Sequence, residues 1–218
     1  VEFSGGTLAV SQSVLFQSQV ADFLDRLRLA RGKSPAGRSL APPGPPPTHL
    51  DLARAKLRQP VTLSYPEPTP LGEIATDLEH LCQVTLLFDG PALSAAGMSR
   101  QRKATLAVRE QPLSEVLVTM LRPLGLTYRM VDATTFEITT RKAASARLEL
   151  EFHPVAAILA RPMTPEALLD QIKSRVAGAT WNDVGGPGAI LFDKASQCLL
   201  VLQSQPVQAK VQIFLGKL

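Results

Sequence analysis

Short runs of alternating apolar and polar residues are separated along the chain by amphipathic stretches, several of which begin at proline. Residues 1–3 and 7–12 alternate like two strands around Gly5-Gly6, a hairpin signal. Residues 14–30 then place Leu15, Phe16, Val20, Phe23, Leu24 and Leu27 on one helical face. After a Pro-rich stretch and a short helical lead-in over 49–58, residues 61–65 read as a strand. Pro70 opens a helix with a Leu71, Ile74, Leu78 and Leu81 stripe. Residues 84–88 read as a strand that Asp89-Gly90-Pro91 breaks, and residues 104–109 as another. Pro112 opens a second helix, with Leu113, Val116, Leu117, Met120, Leu121 and Leu124 apolar and Gly125 as its stop. Residues 126–131 and 135–140 form a hairpin. The predicted order is β-α-β-β-α-β-β, with two helices on one face of a small sheet.

Residues 148–152 begin a further unit, with Leu148, Leu150 and Phe152 on one side of a strand. Thr164 is the expected N-cap of a helix whose first residue is Pro165 and whose apolar face is Leu168, Leu169, Ile172 and Val176. A loop over 181–188, strands over 189–192 and 198–203, and a helix from Pro206 to Leu218 complete the order β-α-β-β-α.

The end of the chain repeats its beginning. Residues 7–27 shifted forward by 191 positions fall on 198–218: Leu8 on Leu199, Val10 on Val201, Gln12-Ser13 on Gln203-Ser204. Gln17 falls on Gln208, Val20 on Val211, Phe23-Leu24 on Phe214-Leu215 and Leu27 on Leu218. The second copy has a strand and a helix upstream of the matched part, so the first copy is expected to begin in mid-module.

The expected organisation is therefore a partial module over 1–33, repeating 190–218; a linker over 34–48, whose proline density favours an extended spacer; one α+β domain over 49–146; and a β-α-β-β-α module over 147–218. The two full units are expected to have a fixed relative orientation, because 142–146 leave little slack. Phe16, Phe23, Leu24 and Leu27 are the candidate interface: the half-module has no complete sheet to cover them, so they are expected to pack on another module, in the same chain or a neighbour, with the linker giving reach.

Composition adds bounds. Hydrophobic residues make up 45% of the 218 and charged residues 19%, as in globular chains. No apolar run approaches the roughly 20 residues that span a bilayer. The net charge of +4 is concentrated around Arg26, Arg28, Arg31, Lys33 and Arg38, around Arg100, Arg102 and Lys103, and around Arg141, Lys142 and Arg147. Solvated helix ends and loop edges account for these clusters more simply than phosphate contacts. Cys82 and Cys198 fall in different units and read as small core residues.

No catalytic constellation emerges. His49, His80 and His153 lack partners at metal-binding spacing, Glu79-His80 reads as a solvated pair, and His153 beside Pro154 reads as part of a turn. No catalytic residue, cofactor site or metal site is expected. Trp181, Gly185, Gly186 and Gly188 are a candidate loop contact. Gly185-Gly186-Pro187-Gly188 fits a bare GxxG, the clamp of KH domains, but it precedes a strand and carries no basic residue. Trp181 fits a core plug.

Residues 60–141 resemble the secretin and TonB short N-terminal domain. The resemblance rests on the Pro-Leu helix starts Pro70-Leu71 and Pro112-Leu113, on Leu124-Gly125-Leu126-Thr127-Tyr128, and on Ile138-Thr139-Thr140. Residues 147–218 resemble the small ring-building modules that follow this domain in secretins, in the version found in large planctomycete-type proteins. The matching residues are Trp181, Gly185, Gly186, Gly188, Ile190, Gln203 and Ser204. The resemblance implies a non-enzymatic protein-interaction and assembly module of an envelope-associated or secretion-related protein in the periplasm or cell envelope. Its partner would be a protein or another copy, and it would meet the membrane only through other parts of a full-length protein. A KH-like nucleic-acid module and a signalling domain of a TonB-linked receptor are the alternatives.

Overall fold

The computed structural model describes residues 2–4, 7–9, 13–33 and 44–218; for 2–4, 7–9 and 14–16 only the backbone is described. The Gly5-Gly6 turn, Val10, the side chain of Phe16 and residues 34–43 of the linker lie outside that description. The fold is α+β, built from small sheets.

Strands β1 (Glu2–Ser4) and β2 (Thr7–Ala9) pair antiparallel, and helix α1 follows over Val14–Ala30. Helix α2 (His49–Leu57) starts in a capping box: Thr48 Oγ1 accepts from the Asp51 amide, and Asp51 reaches back to the Thr48 backbone. Strand β3 (Pro60–Pro70) is far longer than the expected five residues. It pairs antiparallel with β5 (Lys103–Pro112), with irregularities on either side of 63–65, and the second spans Pro66 and Pro68, which have no N–H to offer a ladder. Between them lie α3 (Leu71–Cys82), β4 (Thr85–Phe88) and α4 (Gly90–Ala95). The Asp89-Gly90-Pro91 signal does more than break a strand. The Asp89 side chain caps the Ala92 amide at 3.1 Å and Pro91 sits in the first turn, so the break starts a helix.

Helix α5 (Leu113–Leu121) runs through a 3-10 turn into Gly125, whose φ of +72° is the left-handed stop that glycine permits. Pro70 and Pro112 each stand one residue before their helices, in extended caps. Strands β6 (Leu126–Met130) and β7 (Thr135–Thr140) form the hairpin, and β4 adds parallel to β7. The expected single sheet is thus two: β3-β5 and β4-β7-β6. The reason lies in the helices. Five of the nine residues of α5 are buried, a stripe too broad for one small sheet to cover. Val61, Leu106 and Val108 meet the helices from one sheet, Leu86, Leu126, Phe136 and Ile138 from the other, all in one core.

The expected tight connection at 142–146 is instead helix α6 (Arg141–Ala146), started by Thr140 Oγ1 accepting from the Ala143 amide. Strand β8 (Leu148–Pro154), helix α7 (Ala156–Leu159), helix α8 (Pro165–Arg175), strands β9 (Ala189–Asp193) and β10 (Cys198–Ser204), and helix α9 (Gln205–Leu215) follow. Thr164 caps α8 as expected. The sheet is antiparallel in the order β8-β10-β9. Alternation along β10 divides its faces: Leu199 and Val201 join α8, α9 and Trp181 in a second core, whereas Cys198 and Leu200 join Phe152 on the other face. Among the described residues no helix is long and apolar enough to cross a membrane.

The repeat is visible in the helix starts: α1 begins at Val14 and α9 at Gln205, again 191 apart. The copies differ in burial. Val211 is fully buried whereas Val20 is only half-buried. Val211 packs in the second core beside α8, and α1 lies across the outer face of a sheet.

Candidate functional site

Helix α1 covers the outer face of β8-β10-β9. Phe23, Leu27 and Ala30, spaced by one turn, pack with Phe152, Cys198 and Leu200. The Phe23 and Phe152 rings are 6.4 Å apart, and the Arg26 guanidinium stacks 5.2 Å from the centre of the Phe152 ring. Of the candidate interface residues, Phe23 and Leu27 lie in this cluster, Leu24 is half-buried, and the Phe16 side chain is outside the described atoms. The Gly44 amide donates to the Leu29 carbonyl at 3.0 Å, so the chain at Gly44 meets α1.

A bidentate ion pair locks the end of α1. Arg31 donates to Asp193 through Nε at 3.0 Å and Nη2 at 2.7 Å, and Ser196 donates to the same carboxylate through its amide and hydroxyl. The hydrogen bonds from Arg31 hold the Asp193 carboxyl down at about 2, against the opposing effect of its burial. A depressed carboxyl contributes stability that is complete above its unfolded value near 3.8 and disappears as the pH falls towards 2. Thermal melts of the protein and of Arg31→Gln should therefore differ at about pH 5 and converge in strong acid; a constant difference across that range would refute the pair's role.

The glycine loop is stitched to itself. The amides of Gly185, Gly186 and Gly188 donate to the carbonyls of Asn182, Trp181 and Thr180, at 3.1, 2.8 and 2.9 Å. Those donors are the ones a backbone clamp would need. A Cβ on Gly186 would lie inside the Thr180 backbone, 2.7 Å from its Cα, and one on Gly188 would collide with the Gln203 amide. Gln203 itself donates to the Thr180 carbonyl and hydroxyl at 3.1 and 2.9 Å. Trp181 is buried in the second core, its Nε1–H donating to the Val176 carbonyl at 2.8 Å. Some residues of the basic clusters are also engaged within the protein: Arg28 pairs with Asp25 and Arg100 stacks on Phe88.

The largest polar assembly joins the two cores. The residues of β8 that face away from α1 are Glu149, Glu151 and His153, and all three are largely buried. The expected turn at His153 is a correction: the ring lies inside the strand, with Nε2 3.0 Å from Gln208 Oε1. From the first core, Arg129 on β6 bonds Glu137 at 2.6 Å and Glu149 at 3.3 Å. His49, the first residue of α2, places Nδ1 2.9 Å from Glu151 Oε1 and 3.4 Å from Glu149 Oε2, and its amide donates to Glu151 at 3.1 Å. The hydrogen bond to Glu151 raises the His49 pKa against the cost of burial.

Helix α9 meets this network with a stripe of glutamines at positions 205, 208 and 212. The Gln205 amide both accepts from the Met130 N–H at 2.8 Å and donates to its C=O at 2.6 Å, imitating a strand partner. Gln208 donates to the Glu149 and Val201 carbonyls, and Gln212 to Asp51. Sequence reasoning missed this joint. The signal was present as Glu-x-Glu-x-His on one strand and Gln-x-x-Gln-x-x-x-Gln on one helix face, but the partners lie in units far apart in the chain. His49, Glu149 and Glu151 are also the described residues that bring donor atoms suited to a metal within 4.8 Å of one another.

No family model and no curated protein matches the chain. Among solved structures, the GspC-GspD complex of the enterotoxigenic Escherichia coli type II secretion system aligns at 11% identity, covering 72% of this chain and 97% of that one, with a TM-score of 0.27. The Vibrio cholerae type IV competence pilus secretin PilQ aligns at 15% identity over 72% of this chain and 38% of its own, with a TM-score of 0.30. The N-terminal domain of the Pseudomonas aeruginosa secretin XcpQ, in a dimeric cysteine mutant, aligns at 15% identity over 72% of this chain and 62% of its own, with a TM-score of 0.25.

Proposed function

We propose that this chain is a non-enzymatic protein-interaction and assembly module of an envelope-associated, secretion-related protein working in the periplasm. We divide it at 1–33, 34–48, 49–146 and 147–218. One observation carries the reading. Strand β10 is central, paired by β8 on one side and β9 on the other. Its repeat equivalent, β2, pairs among the described residues with β1 alone. The repeat therefore includes a strand edge whose counterpart in the second copy is filled, and an open edge accepts a strand from a partner or a second copy. The sequence resemblance to secretin modules supports the same reading. The glycine loop weighs against the KH-like alternative, since its amides are spent on its own carbonyls.

In the β1-β2 register, Leu8 stands opposite Phe3, next to the Ser4–Thr7 pair that closes the hairpin. Alternation makes it a pair whose amides point outward. Leu8→Pro removes a donor from the open edge and none from the hairpin. Light scattering should find mass rising with concentration in the wild type and a monomer in Leu8→Pro. A wild type that stays monomeric throughout contradicts assembly through this edge.

A further inference from the structure

We propose that His49, Glu149 and Glu151 form a divalent-metal site that ties the first core to the second. Three donors of the types zinc accepts, one imidazole nitrogen and two carboxylate oxygens, converge from α2 and β8. Glu149 and Glu151 are two apart on one strand and so share a face. The backbone start of α2, where His49 stands, is fixed by the Thr48–Asp51 capping box.

The outer oxygen of Glu149 is anchored as a metal ligand requires. Glu149 turns Oε2 towards His49, where Gln205 also donates to it, and gives Oε1 to Arg129. Glu151 turns Oε1 towards His49 and Oε2 towards His153, 3.8 Å away.

Charge supplies a separate argument. Glu137, Glu149 and Glu151 have 19%, 15% and 3% of their side chains exposed, and Arg129 is the one guanidinium among the described residues that bonds them. Arg26 acts on His49 only at longer range. Buried carboxylates need a matching cation. A divalent ion would take the place of the proton that His49 shares with Glu151, releasing it to solvent, and would leave the remaining coordination positions to water. The His49 ring is 26% exposed, which gives an ion a way in.

The test is calorimetric titration of Zn2+ into the whole chain after chelator stripping, in two buffers of different ionisation enthalpy. The expected result is one ion per chain with proton release and a raised melting temperature. His49→Gln and Glu151→Gln should each weaken binding by at least about 100-fold, and the exposed-site control His80→Gln should not. If Glu151→Gln fails to fold, His49→Gln at its partly exposed position decides alone. Co2+ should give the weak absorption of nitrogen and oxygen ligands. No stoichiometric binding, undiminished binding in His49→Gln, or a thiolate charge-transfer band from Cys82 or Cys198 would overturn the site.

Discussion

Replacing Gly186 by alanine should destabilise the protein by about 3 kcal/mol, lowering its melting temperature by about 10 °C. The added Cβ meets the Thr180 backbone, which cannot swing aside as a side-chain end can. Thr180 is itself fixed by the Gly188 amide and by two hydrogen bonds from Gln203. The neighbouring glycines set a scale. Gly188→Ala presses on the end of the Gln203 side chain and on the Thr180 carbonyl, and should cost less. Gly185 has open space around it but a φ of +86°, so Gly185→Ala should cost about 1 kcal/mol for the left-handed backbone alone. Melts of the three variants should fall in the order Gly186, Gly188, Gly185, from largest loss to smallest. If Gly185→Ala proves the worst, the loop is not the close-packed element described.

Arg129→Met should cost about 3–5 kcal/mol, the range for a buried ion pair that loses one partner. The methionine fills much of the volume, so the loss comes from stranding Glu137 and Glu149, which the guanidinium bonds at 2.6 and 3.3 Å. Lysine should not restore it, because a single ammonium cannot reproduce a fork reaching two carboxylates. Adding Glu137→Gln and Glu149→Gln to Arg129→Met should recover part of the stability by removing the unpaired charge. A loss below about 1 kcal/mol, the level of an exposed pair, measured by denaturant unfolding, would contradict the buried joint.

The parts legible in the sequence were those set by local pattern. The apolar stripes of α3, α5 and α8 lie in the cores, except for Leu81 of α3, which is 48% exposed. The 191-residue repeat aligns the starts of α1 and α9. Helices α4 and α6 were missed because each depends on a single capping side chain, Asp89 or Thr140, where the turn signal or the short span concealed a helix. The second sheet was missed because periodicity reports which face of a helix is apolar, not how many sheets cover it. Along β8, the pattern puts Leu148, Leu150 and Phe152 on one side and carries no signal for burial of Glu149 and Glu151 on the other. Glu149, Glu151 and His153 are buried because the first core supplies Arg129 and His49, from positions the local pattern cannot reach.

Hydrogen exchange at the Leu8 amide tests the central claim of assembly through the open strand most directly. In dilute protein this amide should exchange freely, and its protection should rise with concentration in step with the mass from light scattering. Association that leaves Leu8 exchanging at its dilute rate would contradict strand addition at β2 and place the contact elsewhere on the chain.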